Sequence, residues 1–413
     1  MKTRRCKGTR DLSPEEMIKF HLIEGVFRDS CLKGGYQEIR TPTLEYLHLF
    51  TSTGTLTPAM LGKVYSFLDW DGWSGERVVL RPDGTIPVAR LYIDTMEKDA
   101  LAKLFYITNI FIFEETGKET REKWQCGAEL IGAGSTVADA ELITLALDVL
   151  KKLGLENVEL KLSHAGLIRA LLARFGLDNE EQARMFDQIL DGDARVLTSL
   201  KARAPELRKT LAPLLDLKGK SSGFLKNLKT LFNQEFPEFE PSLGNFIGIV
   251  DLLESLGHTC QIDIASGRGF EYYTGVIFQL SAGKERVAGG GRYDALIPLM
   301  GGRDIPASGF AIYLDPLMKL VKPQDSTTPS IQKILVRTQS DRPETVKQGF
   351  QIAASLREAG YTAELDLAGQ KPSNLRWTLD VNDKPPLFVL TERSNRRKHK
   401  AQTAGELLAI LRQ

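Results

Sequence analysis

Cysteine is scarce in these 413 residues, and the four present stand far apart: Cys6, Cys31, Cys126 and Cys260 form no CxxC pair and have no histidine cluster beside them. That spacing argues against a disulfide framework or a cysteine-based metal site and suits a reducing compartment, so a cytoplasmic location is expected. An excess of one charge is also missing. The 54 Lys+Arg against 53 Asp+Glu leave a net charge of +1, which excludes attachment to nucleic acid or membrane by bulk positive field. No apolar run approaches the roughly 18 residues of a membrane span, and the basic start MKTRRCKGTRDL leads into no apolar stretch, so neither a span nor a secretory signal is expected. There is no GxSxG elbow, no HExxH pair and no GxGxxG loop, which leaves hydrolase, zinc-protease and dinucleotide chemistry unsupported. The five histidines (His21, His48, His164, His258, His399) are scattered and read as surface or packing residues. No metal and no cofactor is expected.

What is present is an ordinary globular composition, with length for two or three domains. Ser13-Pro14-Glu15-Glu16 places an N-cap, a proline and two acids at a helix start. Met17, Ile18, Phe20, Leu22, Ile23, Val26 and Phe27 then give an apolar stripe that Gly34-Gly35 stops. Strands are expected at Tyr36–Arg40, Arg77–Leu80, Ala102–Tyr106 and Ile110–Phe113, and a helix from about Ala138 to Leu153. From about residue 165 to 256 the pattern is nearly all helical, as in LIRALLARF and ARMFDQIL, and reads as a helical insertion. Sheet character returns at Cys260–Ile264 and Gly275–Leu280. The polar, proline-bracketed stretch Lys322–Ser330 is the best domain boundary. Beyond it, strands at Ile334–Val336, Thr362–Leu365 and Leu387–Leu390, with helices at Pro343–Ala359 and the C-terminus, suggest a small α/β domain.

Three clusters carry candidate chemistry. In LRPDGT, Asp83 and Thr85 sit where a strand turns into a helix, as simple caps or as holders of a ligand amine. In the second, Phe111 to Glu114 ends one strand, a charged loop follows, and the chain returns on Trp124 to Glu129. Period two puts Gln125, Gly127 and Glu129 on one face, either a solvated face or one with space for a small polar ligand. The third is GRGFEYYTG, with Arg268 between glycines followed by Tyr272 and Tyr273. After it come Gly289-Gly290-Gly291-Arg292-Tyr293, glycines that suit close packing or turns.

Taken in order, KGTRDL, GYQEIRTPTLE, LRPDGT, REKWQCGAELIG…DAE, GRGFEYYTG and GGGRYDALI…GFAIYLD resemble the histidyl-tRNA synthetase family over nearly the whole chain. The resemblance implies an α+β fold: the class II aminoacyl-tRNA synthetase-like antiparallel sheet flanked by helices, over residues 1–325, with the insertion inside it. A C-terminal α/β domain over 326–413 would resemble an anticodon-binding domain. It implies self-dimerisation through the region around Pro42. It also implies a histidine-binding pocket of Asp83, Thr85, Gln125, Glu129, Arg268, Tyr272 and Tyr273, with Tyr293 close by.

The departures from that family decide the expected function. Its motif 2 carries an F-R-x-E arginine for the α-phosphate and the substrate carboxylate; Ile112 stands there. Its motif 3 ends in G-L-E-R, where this chain has Tyr313, Leu314, Asp315 and Pro316. Losing one preorganised donor costs about 10²–10³ in rate, so two independent losses remove on the order of 10⁴ or more. A paralogue that keeps the histidine pocket and drops the ATP clamp resembles the regulatory subunits of ATP phosphoribosyltransferase. That resemblance implies a non-catalytic protein of histidine biosynthesis. It would be partnered by a short-form ATP phosphoribosyltransferase catalytic subunit, which it activates, and would bind L-histidine for feedback inhibition. A divergent but active histidyl-tRNA synthetase is the alternative, and a histidine- or RNA-binding paralogue with another partner a third. Arg121 survives from the motif 2 loop. Arg393, Arg396, Arg397, Lys398 and Lys400 form a basic run that reads as an exposed charged loop, so tRNA is not expected as a partner.

Overall fold

The structure is a computed structural model that describes residues 4–56, 61–69, 75–113, 120–190, 218–232, 236–264, 272–322, 333–367 and 375–412. Arg268, Glu114 and all of the Lys322–Ser330 boundary stretch after Lys322 lie outside the described residues. The chain divides into two compact units, Met1–Lys322 and Pro323–Gln413.

The first unit opens with α1 (Pro14–Lys33). Its start is a reciprocal cap: Ser13 Oγ accepts from the Glu16 amide at 3.2 Å, and Glu16 Oε2 accepts from the Ser13 amide at 2.8 Å. This satisfies two amides that the first turn leaves open. Ser13→Ala is expected to cost about 1 kcal/mol, read from the midpoint of urea unfolding. The buried stripe is narrower than the sequence suggests. Phe20, Ile23, Phe27 and Cys31 face inward while Ile18 is 46% exposed, because the helix lies on the sheet through one line of aromatics. Phe20 meets Trp124 edge-on at 5.1 Å, and Phe27 meets Phe105 at 5.9 Å.

There follow β1 (Gln37–Glu38), β2 (Leu44–Tyr46), α2 (Leu47–Ser52), β3 (Ser66–Leu68), β4 (Arg77–Leu80) and α3 (Thr85–Leu91). Then come β5 (Ala102–Phe111), β6 (Glu122–Ile131), α4 (Thr136–Lys152), β7 (Val158–His164), α5 (Ala165–Ala173) and α6 (Asn179–Leu190). After β8 (Lys218–Gly219) come α7 (Ser222–Phe232), α8 (Glu240–Ser255), β9 (Gln261–Asp263), β10 (Val276–Ala282), β11 (Glu285–Arg292), α9 (Leu296–Leu299), β12 (Ala307–Tyr313) and α10 (Leu314–Leu320). Nine strands form one sheet in the order β1-β5-β6-β12-β11-β10-β7-β9-β8. Its centre is antiparallel from β5 to β7, and parallel pairs occur only at β1/β5 and β7/β9. The α+β class is therefore as expected, with a mixed rather than purely antiparallel sheet.

One expectation needs correcting, and two further features take a definite place. The strands expected at Ala102–Tyr106 and Ile110–Phe113 are one strand, β5, paired without a break from Ala102↔Ile131 to Phe111↔Glu122. Asn109 does not interrupt it, because its side chain is held by Arg81 and Glu122. The triple glycine lies inside β11 rather than in a turn, and close packing explains it: a Cβ on Gly290 would stand 2.2 Å from the Gly309 carbonyl. Finally, the long helical stretch ends by returning to the core, since α8 packs on α4 with Gly248 against Thr136. Beside the large sheet, β2-β4-β3 form a three-stranded antiparallel sheet.

The second unit contains β13 (Lys333–Thr338), α11 (Pro343–Glu358), β14 (Thr362–Leu365), β15 (Trp377–Val381), β16 (Phe388–Glu392), β17 (Lys398–Ala401) and α12 (Ala404–Leu411). Its sheet runs β14-β13-β15-β16-β17. The basic run expected as a loop is only partly one. Arg393 to Arg397 make the turn, with Arg396 at φ 58°, and Lys398 and Lys400 belong to the edge strand β17.

Candidate functional site

Alternation on the large sheet sorts its side chains to two faces. Cys126 and Ala128 lie toward the helices, while Gln125 on β6 and Gly309, Ala311 and Tyr313 on β12 line a cavity of about 870 Å³. That volume is ample for a small ligand. Asp83, Thr85, Gln125, Tyr272, Tyr273 and Tyr293 line it. Glu129 lies just behind this wall, 1% exposed. Six of the seven residues named from the sequence are thus brought together, and Arg268 is outside the described residues.

Glycines make the room. A Cβ on Gly309 would fall 1.7 Å from Glu129 Oε2, and one on Gly127 would fall 2.2 Å from the Tyr106 ring. Into that space Glu129 collects three hydroxyls. Thr85 Oγ1 reaches Oε1 at 2.9 Å, Tyr106 OH reaches Oε1 at 3.2 Å, and Tyr293 OH bonds Oε2. Burial pushes the Glu129 carboxyl up to about 8, against the lowering effect of these hydroxyls. Asp83 ends the LRPD turn. Its Oδ1 accepts from the Ile86 amide at 2.9 Å, and Tyr272 OH lies 3.5 Å from Oδ2. Burial raises it to about 6, opposed by the helix-start amides.

The chemistry of this wall is one-sided. When Glu129 is ionised, the hydroxyls of Thr85, Tyr106 and Tyr293 donate to it; Thr85 and Tyr293 then offer lone pairs toward the cavity, while the Tyr106 oxygen accepts from the Gln125 amide at 3.4 Å. Asp83 adds a buried carboxylate. The site is built for a ligand rich in N–H groups and positively charged, the counter-charge that two buried carboxylates need. Tyr106 and Tyr293 complete it, and only Tyr293 was noticed in the sequence. Tyr106 could have been found from the hairpin register that sets it opposite Gly127.

The outer part of the cavity differs. Ile110, Ile112 and Pro316 line it, and the Arg286 guanidinium lies 5.7 Å from the centre of the Tyr313 ring. Arg10 crosses it to Asp315 at 2.6 Å and to Glu16 at 3.4 Å. Arg121 is 3.3 Å from Tyr65 OH and stacks on Phe113 at 4.4 Å. Four free thiols are spread through the chain, with only Cys6 exposed. Among the described residues no helix is long and apolar enough to cross a membrane.

A class II synthetase-type domain is what this sheet and the helices that flank it define. The Histidyl-tRNA synthetase family model matches residues 8–317. An ATP phosphoribosyltransferase regulatory subunit of Dehalococcoides mccartyi is 54% identical over 377 residues, 91% of each chain. A histidine–tRNA ligase of Methanocaldococcus jannaschii is 34% identical over 383 residues, covering 91% of this chain and 88% of the ligase. The solved ATP phosphoribosyltransferase regulatory subunit/histidyl-tRNA synthetase from Bacillus halodurans superposes with a TM-score of 0.77 at 25% identity, over 92% of this chain and 98% of that one. The chain belongs to the histidyl-tRNA synthetase family, in the branch of the ATP phosphoribosyltransferase regulatory subunits.

Proposed function

We propose that this chain is the non-catalytic regulatory subunit of ATP phosphoribosyltransferase in histidine biosynthesis, acting in the cytoplasm. It activates a short-form catalytic subunit and transmits feedback inhibition by histidine. The observation that carries this reading is the contrast inside one cavity. Its inner half holds the acceptor-lined carboxylates, while Ile112, Tyr313 and Pro316 line its outer half, at positions that the resemblance to a synthetase gives to two phosphate-holding arginines and a glycine. Neither isoleucine nor proline can donate to a phosphate from its side chain. The name carried by the 54%-identical relative supports the partner assignment.

Histidine suits the inner half. Its ammonium is matched by Asp83, Gln125 and the tyrosine lone pairs, its ring N–H by the wall around Glu129, and its carboxylate is assigned to Arg268. An occupied pocket inhibits the complex to the extent that histidine binds its less active state more tightly. Self-association is supported by the apolar face of the small sheet. There Leu44, Tyr46 and Phe67 are 47%, 40% and 41% exposed, with Leu44 opposite Leu80 and both Tyr46 and Phe67 beside Val78.

Calorimetric titration with histidine and, separately, with ATP tests the reading. Histidine is expected to bind and ATP to give no heat of binding. Measurable ATP binding would reinstate the ligase. Adding the chain to a short-form catalytic subunit is expected to raise its activity, and histidine to lower that activity only when the chain is present.

A further inference from the structure

Behind the pocket floor lies a second buried polar cluster that takes no direct part in the cavity. Arg292 is the last residue of β11. Gly291 before it backs onto the Tyr273 ring, so alternation sends the Arg292 side chain to the other face of the sheet, against α4. There it is 5% exposed and its donors are taken in three directions. Nη2 and Nε reach the two oxygens of Asp139, in the first turn of α4, at 2.7 and 3.2 Å. Nη1 and Nη2 both reach the Ala133 carbonyl at 3.2 Å, and Nη1 reaches Asp294 Oδ1 at 3.1 Å. Only the planar fork of arginine serves acceptors so arranged; a lysine ammonium is a single point.

The main chain around Arg292 carries this anchorage into the pocket. Its carbonyl accepts from the Thr274 amide at 2.8 Å, and Thr274 Oγ1 accepts from the Asp294 amide at 3.0 Å. Asp294 Oδ1 also accepts from the Ala307 amide, and the Tyr293 amide donates to the Ala307 carbonyl, at 3.0 and 2.8 Å. Tyr293 is therefore gripped on both sides, and the Tyr272-Tyr273 strap is tied to the same turn. The two pocket rings, Tyr272 and Tyr293, meet edge-on at 5.6 Å.

We propose that Arg292 is a positioning residue for the amino-acid ligand: from the far side of the sheet it fixes the Tyr293 hydroxyl on Glu129 and the Tyr272 hydroxyl near Asp83. A buried ion pair of this kind is weak evidence for stability and is better read as a device that selects one geometry. The inference rests on the reading of the cavity as a histidine pocket, and its test separates the two.

L-histidine affinity is measured for the full chain, Arg292→Lys, Tyr293→Phe and the double variant. Arg292→Lys is expected to weaken binding about tenfold when Tyr293 is present and less than about twofold in the Tyr293→Phe background, because residues acting as one unit are not additive. Equal losses in both backgrounds would show a merely structural role and overturn the proposal. If Arg292→Lys does not fold, Thr274→Val, which removes the hydroxyl that accepts from the Asp294 amide and keeps the main-chain bond to Arg292, enters the same cycle with the same expectations.

A ligand-free arm stands apart from histidine. The near-ultraviolet circular dichroism difference between wild type and Tyr293→Phe reports how firmly that ring is held. It is expected to shrink at least about twofold in the Arg292→Lys (or Thr274→Val) background. An unchanged difference rejects the positioning role. Absence of histidine binding by the wild-type chain removes the pocket reading instead, and the dichroism arm still decides whether Arg292 holds Tyr293.

Discussion

Replacing Glu129 by glutamine is expected to lower the affinity for histidine by about 100-fold, to be measured by calorimetric titration with a melting curve to verify folding. The side chain keeps its shape, so the loss is chemical. The carboxylate accepts from Thr85, Tyr106 and Tyr293 and, when ionised, leaves the lone pairs of Thr85 and Tyr293 toward the cavity. A glutamine Nε2 must donate to one of the same hydroxyls, so that hydroxyl can no longer donate back and presents its proton to the ligand. The buried negative charge that a cationic ligand needs disappears at the same time. In the assembled complex the same substitution should leave activation of the catalytic subunit in place and abolish its inhibition by histidine. Equal affinity in Glu129→Gln and wild type would mean that the ligand does not sense this carboxylate.

The ligand-free protein should lose stability as pH rises from about 5 to about 8, by on the order of a few kcal/mol. Glu129 titrates near 8 in the fold against an ordinary value of 4.5, and Asp83 near 6 against 3.8. Between those limits the folded chain holds protons that the unfolded chain has released, so raising the pH favours unfolding. The stability these groups allow is fully present below the ordinary carboxylate range and is lost as pH passes through their raised values. Urea unfolding across a pH series reads the slope, and Glu129→Gln should flatten its upper part. Histidine should counter the fall, because a bound cation stabilises the ionised pair. A stability that climbs over this interval in the wild type would contradict the assignment.

Much of the inner pocket was legible in the sequence because its signals are local. Period two places Gln125, Gly127 and Glu129 on one face of one strand, and Asp83-Gly84-Thr85 marks the strand-to-helix turn whatever surrounds it. The remaining contributors depend on register between strands distant in sequence. Tyr106 enters the site because β5 and β6 pair without a break, and the glycines of β11 acquire their meaning only when Gly290 is set against Phe310 on β12. Arg292 could be seen in GGGRYD, but its partner Asp139 lies 153 positions earlier, and no spacing rule joins them. The same distinction holds for the helices. The cap at Ser13 was visible, whereas the exposure of Ile18 follows from where the sheet happens to lie.

The basic hairpin of the second unit has a consequence for behaviour in concentrated solution. β17 is the open edge of its sheet, and an open edge is a template on which a foreign strand can grow. Lys398 and Lys400 alternate along it, both exposed, so an incoming strand must bring its backbone against a row of ammonium groups with Arg396 and Arg397 at the turn. A cluster that resembles a nucleic-acid contact when seen as a list of charges is thus expected, in its place in the sheet, to oppose edge-to-edge pairing. Its strength lies in unscreened repulsion, which makes salt, rather than heat, the condition under which this end of the protein becomes adhesive.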